Sequence, residues 1–343
     1  MKKFLSFSLM AVLLLSSCTK ENVIERSDDH AIVFENTFVD KTTRSDITTD
    51  NISQFSVYGY INNAGGTIWE NERVYKSQNT TSDETTTATW QYDNLAYWQE
   101  GNSYYFHAFA PYQDENRSWD FVAEEENGAV TGTIVVNEIG DDLIYASNSR
   151  VIPEGGIGSN LAPIKLSFSH LMTRFRFKIV NALSNENTSL SLSNVITKEF
   201  PACGEAKVPF TDEVSWTVSD EKTKSFVFAT EDEEIVIEHR DAQDGNTGYY
   251  VTEPIYVFPH SVTDLSGLLN FNLAVYIGSE CVYEEAVESK ISREFTFEPG
   301  YSYLFITTIN DNFVYDTNHI ISFETPIIEE WDMTYTDGKD YPY

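Results

Sequence analysis

Alternation of polar and apolar residues is the feature that most constrains the fold of this chain. It runs through "RFRFKIV" (residues 174–180), "SLSLSNV" (189–195) and "FTFEPGYSYLFITTI" (295–309). A period of two places successive side chains on opposite faces of a half-buried sheet. The 20 Tyr and 22 Phe favour strands as well. Because no long stretch has apolar residues at helical spacing, we predict an all-β fold of antiparallel β-sandwiches.

The length of the chain and its turn signals predict two such sandwiches in tandem. A chain of 343 residues is longer than one hydrophobic core usually fills. A glycine-rich loop at residues 154–158 leads into a strand at 164–168, and a second strand begins near Thr173. We therefore place an N-terminal sandwich at residues 31–170 and a C-terminal sandwich at residues 171–343.

The first residues have the pattern of a secretory signal. Lys2 and Lys3 precede an apolar run from Phe4 to Leu15, which is too short to span a bilayer comfortably. The following "LSSC" resembles a bacterial lipobox, which predicts a signal peptide over residues 1–17 and a lipid-modified Cys18. Acyl chains on Cys18 would anchor the chain to a membrane, and residues 18–30 read as a charged tether. The alternative is an ordinary signal peptide that happens to contain a cysteine.

Charge and side-chain spacing exclude several functions. The formal net charge of −32 argues against binding nucleic acid. None of the six histidines has a His, Cys or carboxylate neighbour at a metal-ligand spacing, and no nucleophile or phosphate-loop motif occurs. The acidic runs read as solvated turns, so we predict no catalytic residues, no metal and no cofactor. Cys203 and Cys281 permit one disulfide without requiring it, and small buried residues are the alternative.

The stretch "YWQEGNSYYFHAFAPY" at residues 97–112 is rich in aromatic side chains and has two interpretations. Exposed rings such as Trp98, Tyr104 and Tyr105 would form a platform for sugar rings, which would suit a glycan-binding surface lipoprotein. Alternatively, the aromatic residues fill the core of the sandwich, where rings dominate the packing energy. The aromatic side chains proposed for this core are Tyr97, Trp98, Tyr105, Phe106 and Phe109.

Five segments together resemble the fimbrillin family of Bacteroidales, the subunits of type V pili and related adhesion lipoproteins. They are "YWQEGNSYYFHAFAP" (97–111), "DDLIYASN" (141–148), "LSFSHLMTRFRFKIV" (166–180), "FTFEPGYSYLFITTI" (295–309) and "IIEEW" (327–331). The resemblance covers most of the chain after the signal and implies transthyretin-like, Greek-key sandwiches. It further implies a fimbrial subunit or adhesin at the outer membrane surface or in a fimbrium. The implied partners are other pilin subunits, an arginine-specific protease, the membrane, and a ligand on a host or bacterial surface.

The family mechanism implies a role for an isolated arginine. In polymerising members, a protease cuts after an arginine near the N-terminus and the first strand is lost. Here the bond would be Arg44–Ser45 and the strand residues 31–38, with Ile32, Val33, Phe34 and Phe38 as its apolar side chains. The alternative is an ordinary surface arginine in a loop.

The empty groove would accept a strand of another subunit, a mode of binding known as β-augmentation. The candidate donor is the C-terminal "IIEEWDMTY", with Trp331, Met333 and Tyr335 on one face. Because this stretch is short and only partly apolar, a terminal, accessory or non-polymerising member is the other interpretation.

Overall fold

The computed structural model describes residues 30–35, 38–39, 52–78, 88–112, 118–157, 161–208, 214–239, 248–262, 266–290, 294–315 and 321–329. In these ranges the chain is built from strands and one short helix, which confirms the predicted all-β class. In none of these ranges is there a helix with the length and hydropathy required to cross a membrane.

The strands of the N-terminal half are β1 (Phe38–Val39), β2 (Gln54–Ile61), β3 (Thr67–Gln78), β4 (Ala88–Gln91), β5 (Asn102–Ala110), β6 (Trp119–Glu126), β7 (Ala129–Val136), β8 (Ile144–Ile152) and β9 (Ser167–His170). Those of the C-terminal half are β10 (Thr173–Asn181), β11 (Thr188–Thr197), β12 (Phe200–Lys207), β13 (Ser215–Lys224), β14 (Val227–Ala229), β15 (Ile235–Glu238), β16 (Tyr249–Val251), β17 (Ile255–Val257), β18 (His260–Val262), β19 (Leu269–Ile277), β20 (Glu280–Lys290), β21 (Phe295–Phe297), β22 (Ser302–Ile309), β23 (Ile321–Ser322) and β24 (Ile327–Glu329), with helix α1 (Asp311–Tyr315) after β22.

The N-terminal half contains a seven-stranded sheet in the order β1-β9-β8-β5-β2-β3-β4. Its inward side chains form the first core, an apolar cluster that includes Phe55, Trp69, Phe106 and Phe168. Burial alternates along the strands as the sequence predicts. In β9, for example, Phe168 and His170 are buried, while Ser167 and Ser169, which alternate with them, are exposed.

The C-terminal half contains a five-stranded sheet, β16-β10-β22-β24 with β17 also on β10, and a six-stranded sheet, β14-β11-β19-β20-β23 with β15 also on β11. Strands β18 and β21 form a separate pair. Inward side chains of both large sheets belong to one apolar cluster, the second core, which includes Phe177 of β10, Phe305 of β22, Leu192 of β11 and Leu273 of β19. The two sheets therefore pack face to face as a sandwich.

Among the described strands, three pairs are parallel, whereas the sequence predicts antiparallel sandwiches. The longest joins β10 to β22 over eight residue pairs, from Arg174–Ser302 to Asn181–Ile309. The others are β1 with β9 and β20 with β23. Alternating polarity reports which face of a strand is buried but not the direction of its neighbour. The long connection from β10 to β22 permits a parallel crossover.

A four-stranded sheet, β13-β12-β7-β6, contains strands from both sides of residue 170. The β6–β7 hairpin precedes that residue, yet Val135 of β7 pairs with Glu205 of β12. The second core also extends into the N-terminal half, where it includes Phe109 and Trp119. The chain does change sheets between β9 and β10, near the predicted boundary. A division of the molecule into folding units at residue 170 nevertheless stays a prediction, because one sheet and one core cross it.

His107 of β5 lies buried where the seven-stranded sheet meets β7. Its Nε2 is 2.8 Å from the backbone oxygen of Val130, and its Nδ1 is 2.9 Å from the hydroxyl oxygen of Tyr145. Since a carbonyl can only accept, Nε2 carries the proton of the neutral ring and Nδ1 accepts from Tyr145. Burial lowers the pKa of His107 from 6.5 to about 4, against a smaller opposing effect of the hydrogen bond to Val130.

This burial predicts sensitivity to acid. The folded pKa lies below the unfolded value, so the unfolded chain binds more protons between pH 6.5 and pH 4. The contribution of neutral His107 is therefore complete above pH 6.5 and is lost as the pH falls towards 4. Its size is about 3 kcal/mol of the free energy of unfolding.

Denaturant titrations of the native chain and of His107→Gln, at several pH values from 7 to 4, measure this term. Glutamine can replace both hydrogen bonds but does not titrate. The free energy of unfolding of His107→Gln should therefore fall less between pH 7 and pH 4 than that of the native chain. His260→Gln is the matched control, because the pKa of His260 is also lowered by burial but the residue is less enclosed. Parallel curves for the native chain and His107→Gln would contradict the prediction.

Candidate functional site

Residues 30–35, which we call the N-terminal segment, connect the two ends of the seven-stranded sheet. On one side lie residues 96–98, which follow β4, and on the other lie residues 162–166, which precede β9. We call these stretches the first and second walls, and the space between them the trough. Because β4 and β9 lie towards opposite ends of the sheet, the segment closes the sheet over the first core.

The first wall runs antiparallel to the segment. The Trp98 amide donates to the carbonyl of His30, and the Ile32 amide donates to the carbonyl of Ala96, both at 2.9 Å. The hydroxyl of Tyr92 donates to the carbonyl of Ile32. This edge of the segment therefore has strand-like hydrogen bonding and one additional bond from a side chain.

The second wall runs parallel to the segment at Ile164. The Ile164 amide donates to the carbonyl of Val33 at 2.7 Å, and the Glu35 amide donates to the carbonyl of Ile164 at 2.9 Å. An exposed ion pair joins Lys165 to Glu35 at 3.5 Å. Such surface pairs contribute little, so the two backbone bonds define this edge.

Side chains of the segment alternate between core and solvent. Ile32 is fully buried and Phe34 is 4% exposed, whereas Val33 between them is 45% exposed. The sequence counted Val33 among the apolar side chains that fill the groove, and this is wrong because period two turns Val33 outward. Phe34 lies in an aromatic box whose ring centroids are 5.9–6.3 Å away, formed by Phe55, Trp69, Tyr92 and Phe106.

The predicted strand over residues 31–38 is not continuous. The segment forms isolated bridges at Ala31 and Phe34, and β1 then pairs Phe38 with Ser167 in parallel. The chain thus moves from a position between two walls to the edge of β9. The backbone of Phe38 is described, but its side chain is not.

Arg150 of β8, which is not among the predicted site residues, contacts both walls. Its guanidinium donates to the carbonyls of Ala162 and Pro163 on the second wall. Its Cζ lies 5.0 Å from the ring centroid of Trp98 on the first wall. A polar residue at an inward position of a strand is the sequence feature that indicates Arg150, which stands two residues before buried Ile152 in β8.

The aromatic stretch belongs mainly to the core. Trp98 and Tyr104 are buried against one another with ring centroids 4.7 Å apart, so neither forms an exposed platform. Tyr105 is half-buried, and its hydroxyl donates to the carbonyl of Gly128 at 2.8 Å. Of the five rings proposed as core, Trp98, Phe106 and Phe109 are buried, while Tyr97 and Tyr105 are half-buried. Two of the three rings proposed for a sugar platform are therefore buried, and Tyr105 alone keeps part of its surface in solvent.

A metal site or a disulfide would require particular side chains of the described ranges to lie close together. No group of three or more His, Cys, Asp or Glu side chains there is placed to hold a metal ion. One buried polar pair was not predicted from the sequence. His170 Nδ1 lies 2.9 Å from Asp142 Oδ1, and this contact joins the end of β9 to the turn before β8. Cys203 is half-buried and Cys281 exposed, and both are free thiols, so the permitted disulfide is absent and Cys281 is not a core residue.

Several predicted site residues lie outside the described ranges. They are Cys18, Arg44, Ser45, Trp331, Met333 and Tyr335. The last described strand before the candidate donor is β24, which pairs antiparallel with β22 at the edge of the five-stranded sheet. Ile327 and Ile328 of β24 are 48% and 62% exposed.

Comparison with solved structures finds distant likenesses over most of the chain. A candidate cell adhesion protein of Bacteroides uniformis is 16% identical, with a TM-score of 0.44, covering 89% of this chain and 100% of that one. The fimbrial anchor protein Mfa2 of Porphyromonas gingivalis is 9% identical, with a TM-score of 0.32, covering 86% and 97%. At these values neither likeness carries an argument. A search of curated protein sequences finds no significant match.

A family profile gives a firmer assignment. The profile described as fimbrillin-like matches residues 41–331, which is most of the chain. The match includes both large sandwich sheets of the C-terminal half and most of the seven-stranded sheet. Membership indicates a fimbrial or adhesive protein of the cell surface that associates with other pilin subunits. The chain belongs to the fimbrillin-like family.

Proposed function

We propose that this chain is a fimbrial subunit or fimbrillin-like adhesin that is exported as a lipoprotein and assembled by strand replacement. In this proposal Cys18 carries the lipid, a protease cuts the Arg44–Ser45 bond, and the N-terminal segment leaves the trough. A strand of another subunit then takes its place. The supporting observation is that the segment lies between two hydrogen-bonding walls and covers the first core with Ile32 and Phe34.

Leaving the trough empty is costly, which drives its refilling. Burial of each large apolar side chain contributes roughly 1.5–3 kcal/mol, and Ile32 and Phe34 are both buried. Departure also leaves backbone groups of Ala96, Trp98 and Ile164 without their partners. Burying such groups unpaired costs about 1–3 kcal/mol each. The vacated trough therefore favours any strand that restores both the apolar contacts and the backbone hydrogen bonds.

The geometry specifies the replacement strand. It must run antiparallel to the first wall, with an aliphatic side chain in the place of Ile32 and an aromatic ring in the place of Phe34. The residue between them faces solvent, as Val33 does. In the candidate donor, Met333, Thr334 and Tyr335 have this order of side chains. We assign Met333 to the place of Ile32 and Tyr335 to the aromatic box, with Trp331 two residues before Met333 on the same face.

The proposed cut is placed to release the whole segment. Arg44 follows both the N-terminal segment and β1, which ends at Val39, and precedes β2 at Gln54. Cutting there separates every residue that occupies the trough from the rest of the seven-stranded sheet. It also separates the chain from a lipid on Cys18, so that assembly and release from the anchor become one event.

Neighbouring substitutions test whether the segment fills the core as described. Phe34→Ala should lower the free energy of unfolding by about 3–5 kcal/mol, because the aromatic box is left with a cavity. Val33→Ala removes an exposed side chain from the same segment and should change that free energy by about 0.5 kcal/mol or less. Denaturant titration followed by tryptophan fluorescence measures both, since Trp69 contacts Phe34. Similar losses for the two variants would contradict the burial pattern.

Proteolysis tests the proposed processing. An arginine-specific protease added to the folded chain should cut after Arg44, and the cut chains should then form larger oligomers. Mass spectrometry identifies the cut, and size-exclusion chromatography follows the oligomers. Arg44→Gln is the control, which should remain whole and unassembled under the same treatment. A folded chain that resists cutting, or one that is cut without later assembly, would refute the polymerising form of the proposal.

The donor assignment has its own test. Tyr335→Ser should reduce the assembly of cut chains because a serine leaves the aromatic box unfilled. Tyr343→Ser makes the same exchange beyond the proposed register and should assemble like the native chain. Assembly is compared by chromatography at equal concentration after complete cutting. If both variants assemble normally, the C-terminal register is wrong.

A further inference from the structure

Two polar residues occupy inward positions of β8. Alternation in this strand turns Ile144, Ala146, Asn148, Arg150 and Ile152 towards the same face. Ile144, Ala146 and Ile152 belong to the first core, whereas Asn148 and Arg150 are the polar residues in this series. Polar side chains at inward positions are favourable only when hydrogen bonds satisfy them, so their partners identify their role.

Those partners are backbone carbonyls of the second wall. Asn148 Nδ2 donates to the carbonyl of Lys165 at 2.9 Å, and Arg150 Nη2 donates to that of Pro163 at 3.2 Å. Arg150 Nη1 donates to the carbonyl of Ala162. The planar guanidinium with its fixed fork of donors suits two successive carbonyls, which a lysine ammonium would not match in geometry.

These side-chain bonds replace the backbone bonds that the second wall would otherwise make to β8, because the wall is not part of the ladder between β8 and β9. The ladder between β8 and β9 covers only Ile144–His170 and Tyr145–Ser169. Further along, residues 162–165 diverge from β8, and Ile164 instead uses its backbone amide and carbonyl to bind the N-terminal segment. The trough exists only while this divergence is maintained.

With the segment in place, the second wall is held from both sides. Ile164 is bonded to the segment, and the carbonyls around it are bonded to Asn148 and Arg150. When the segment is absent, the wall keeps its hydrogen bonds to the side chains of β8 and the packing of Ile164 in the first core, but its backbone edge is open. Without these hydrogen bonds, residues 162–165 could form backbone hydrogen bonds along β8 and close the trough, as unpaired strand edges tend to do.

We propose that Asn148 and Arg150 are positioning residues that hold the empty trough open, by keeping residues 162–165 apart from β8 until a replacement strand arrives. Arg150 additionally sets the spacing of the two walls, because its guanidinium also lies over the ring of Trp98. This inference rests on the proposed strand replacement. It adds that the ability of the trough to accept a strand depends on Asn148 and Arg150, whose hydrogen bonds go to the second wall and not to the strand itself.

The test uses the purified full-length chain with a site for a highly specific protease in place of residues 41–46. After cutting, a fluorescent peptide with the sequence of residues 28–40 is added in excess, and fluorescence anisotropy measures its binding. Arg150→Met is the test variant, because methionine keeps much of the side-chain length but donates no hydrogen bond. Arg73→Met is the matched control, because Arg73 also lies over tyrosine rings and donates to Gln54 but contacts neither wall.

The cut native chain and cut Arg73→Met should bind the peptide equally. Cut Arg150→Met should bind about tenfold more weakly, which corresponds to a trough that stays open in about a tenth of the molecules. Before cutting, Arg150→Met should lose much less than tenfold in its folding equilibrium, because the bound segment still holds Ile164. Equal losses before and after cutting would show a merely structural role and overturn the inference. Native-like peptide binding by cut Arg150→Met would overturn it too.

Two further outcomes are distinguishable. If the cut native chain neither releases its segment nor binds the peptide, strand replacement itself fails, and the inference fails with it. If Arg150→Met does not fold, Arg150→Lys decides the question. Lysine retains the charge but not the fork, so its peptide affinity should fall between those of the native chain and an Asn148→Ala, Arg150→Lys double variant. Native affinity in both would overturn the inference.

Discussion

The first core is closed by backbone hydrogen bonds that two separate walls make to one short segment. Among the described residues no backbone hydrogen bond joins the two walls directly, and residues 30–35 provide the backbone connection between them. Phe34 gives the closure its specificity, since four aromatic residues surround its ring. This part of the molecule therefore holds an extended segment of its own chain, with backbone bonds on both edges and alternate side chains in the core, as in β-augmentation.

The rest of the fold provides a rigid support for this closure. Arg150 and Asn148 fix the second wall, the buried His170–Asp142 pair fixes the end of β9, and His107 ties β5 to β7. Each contact joins elements that are distant in sequence. Because a buried polar group is stable only when it is hydrogen-bonded, the contacts of buried His107, Asp142 and His170 favour one arrangement of strands among several that would bury the same apolar residues.

The sequence predicted the fold class, because it depends on local periodicity, and it placed Ile32 and Phe34 among the apolar side chains of the first strand. It failed where the outcome depends on which strands become neighbours. The parallel pairing of β10 with β22, the sharing of β12 with β7, and the pair of Asp142 with His170 leave no local pattern. Val33 was misjudged for a different reason, since hydrophobicity was counted without regard to the face on which the residue lies. Arg150 was overlooked although its polar character at an inward position was visible in the alternation.

The sheet shared by β6, β7, β12 and β13 has a consequence for the order of folding. The chain is synthesised from its N-terminus, so the β6–β7 hairpin is complete about 64 residues before β12 begins and can cover the edge of β7. During that interval the edge is open to pairing with other chains, as unpaired strands are. Glu124, Glu125 and Glu126 near the tip of the hairpin are exposed, and their mutual repulsion disfavours premature association of nascent molecules. The four-stranded sheet can thus be completed only after residues 200–207 have been synthesised.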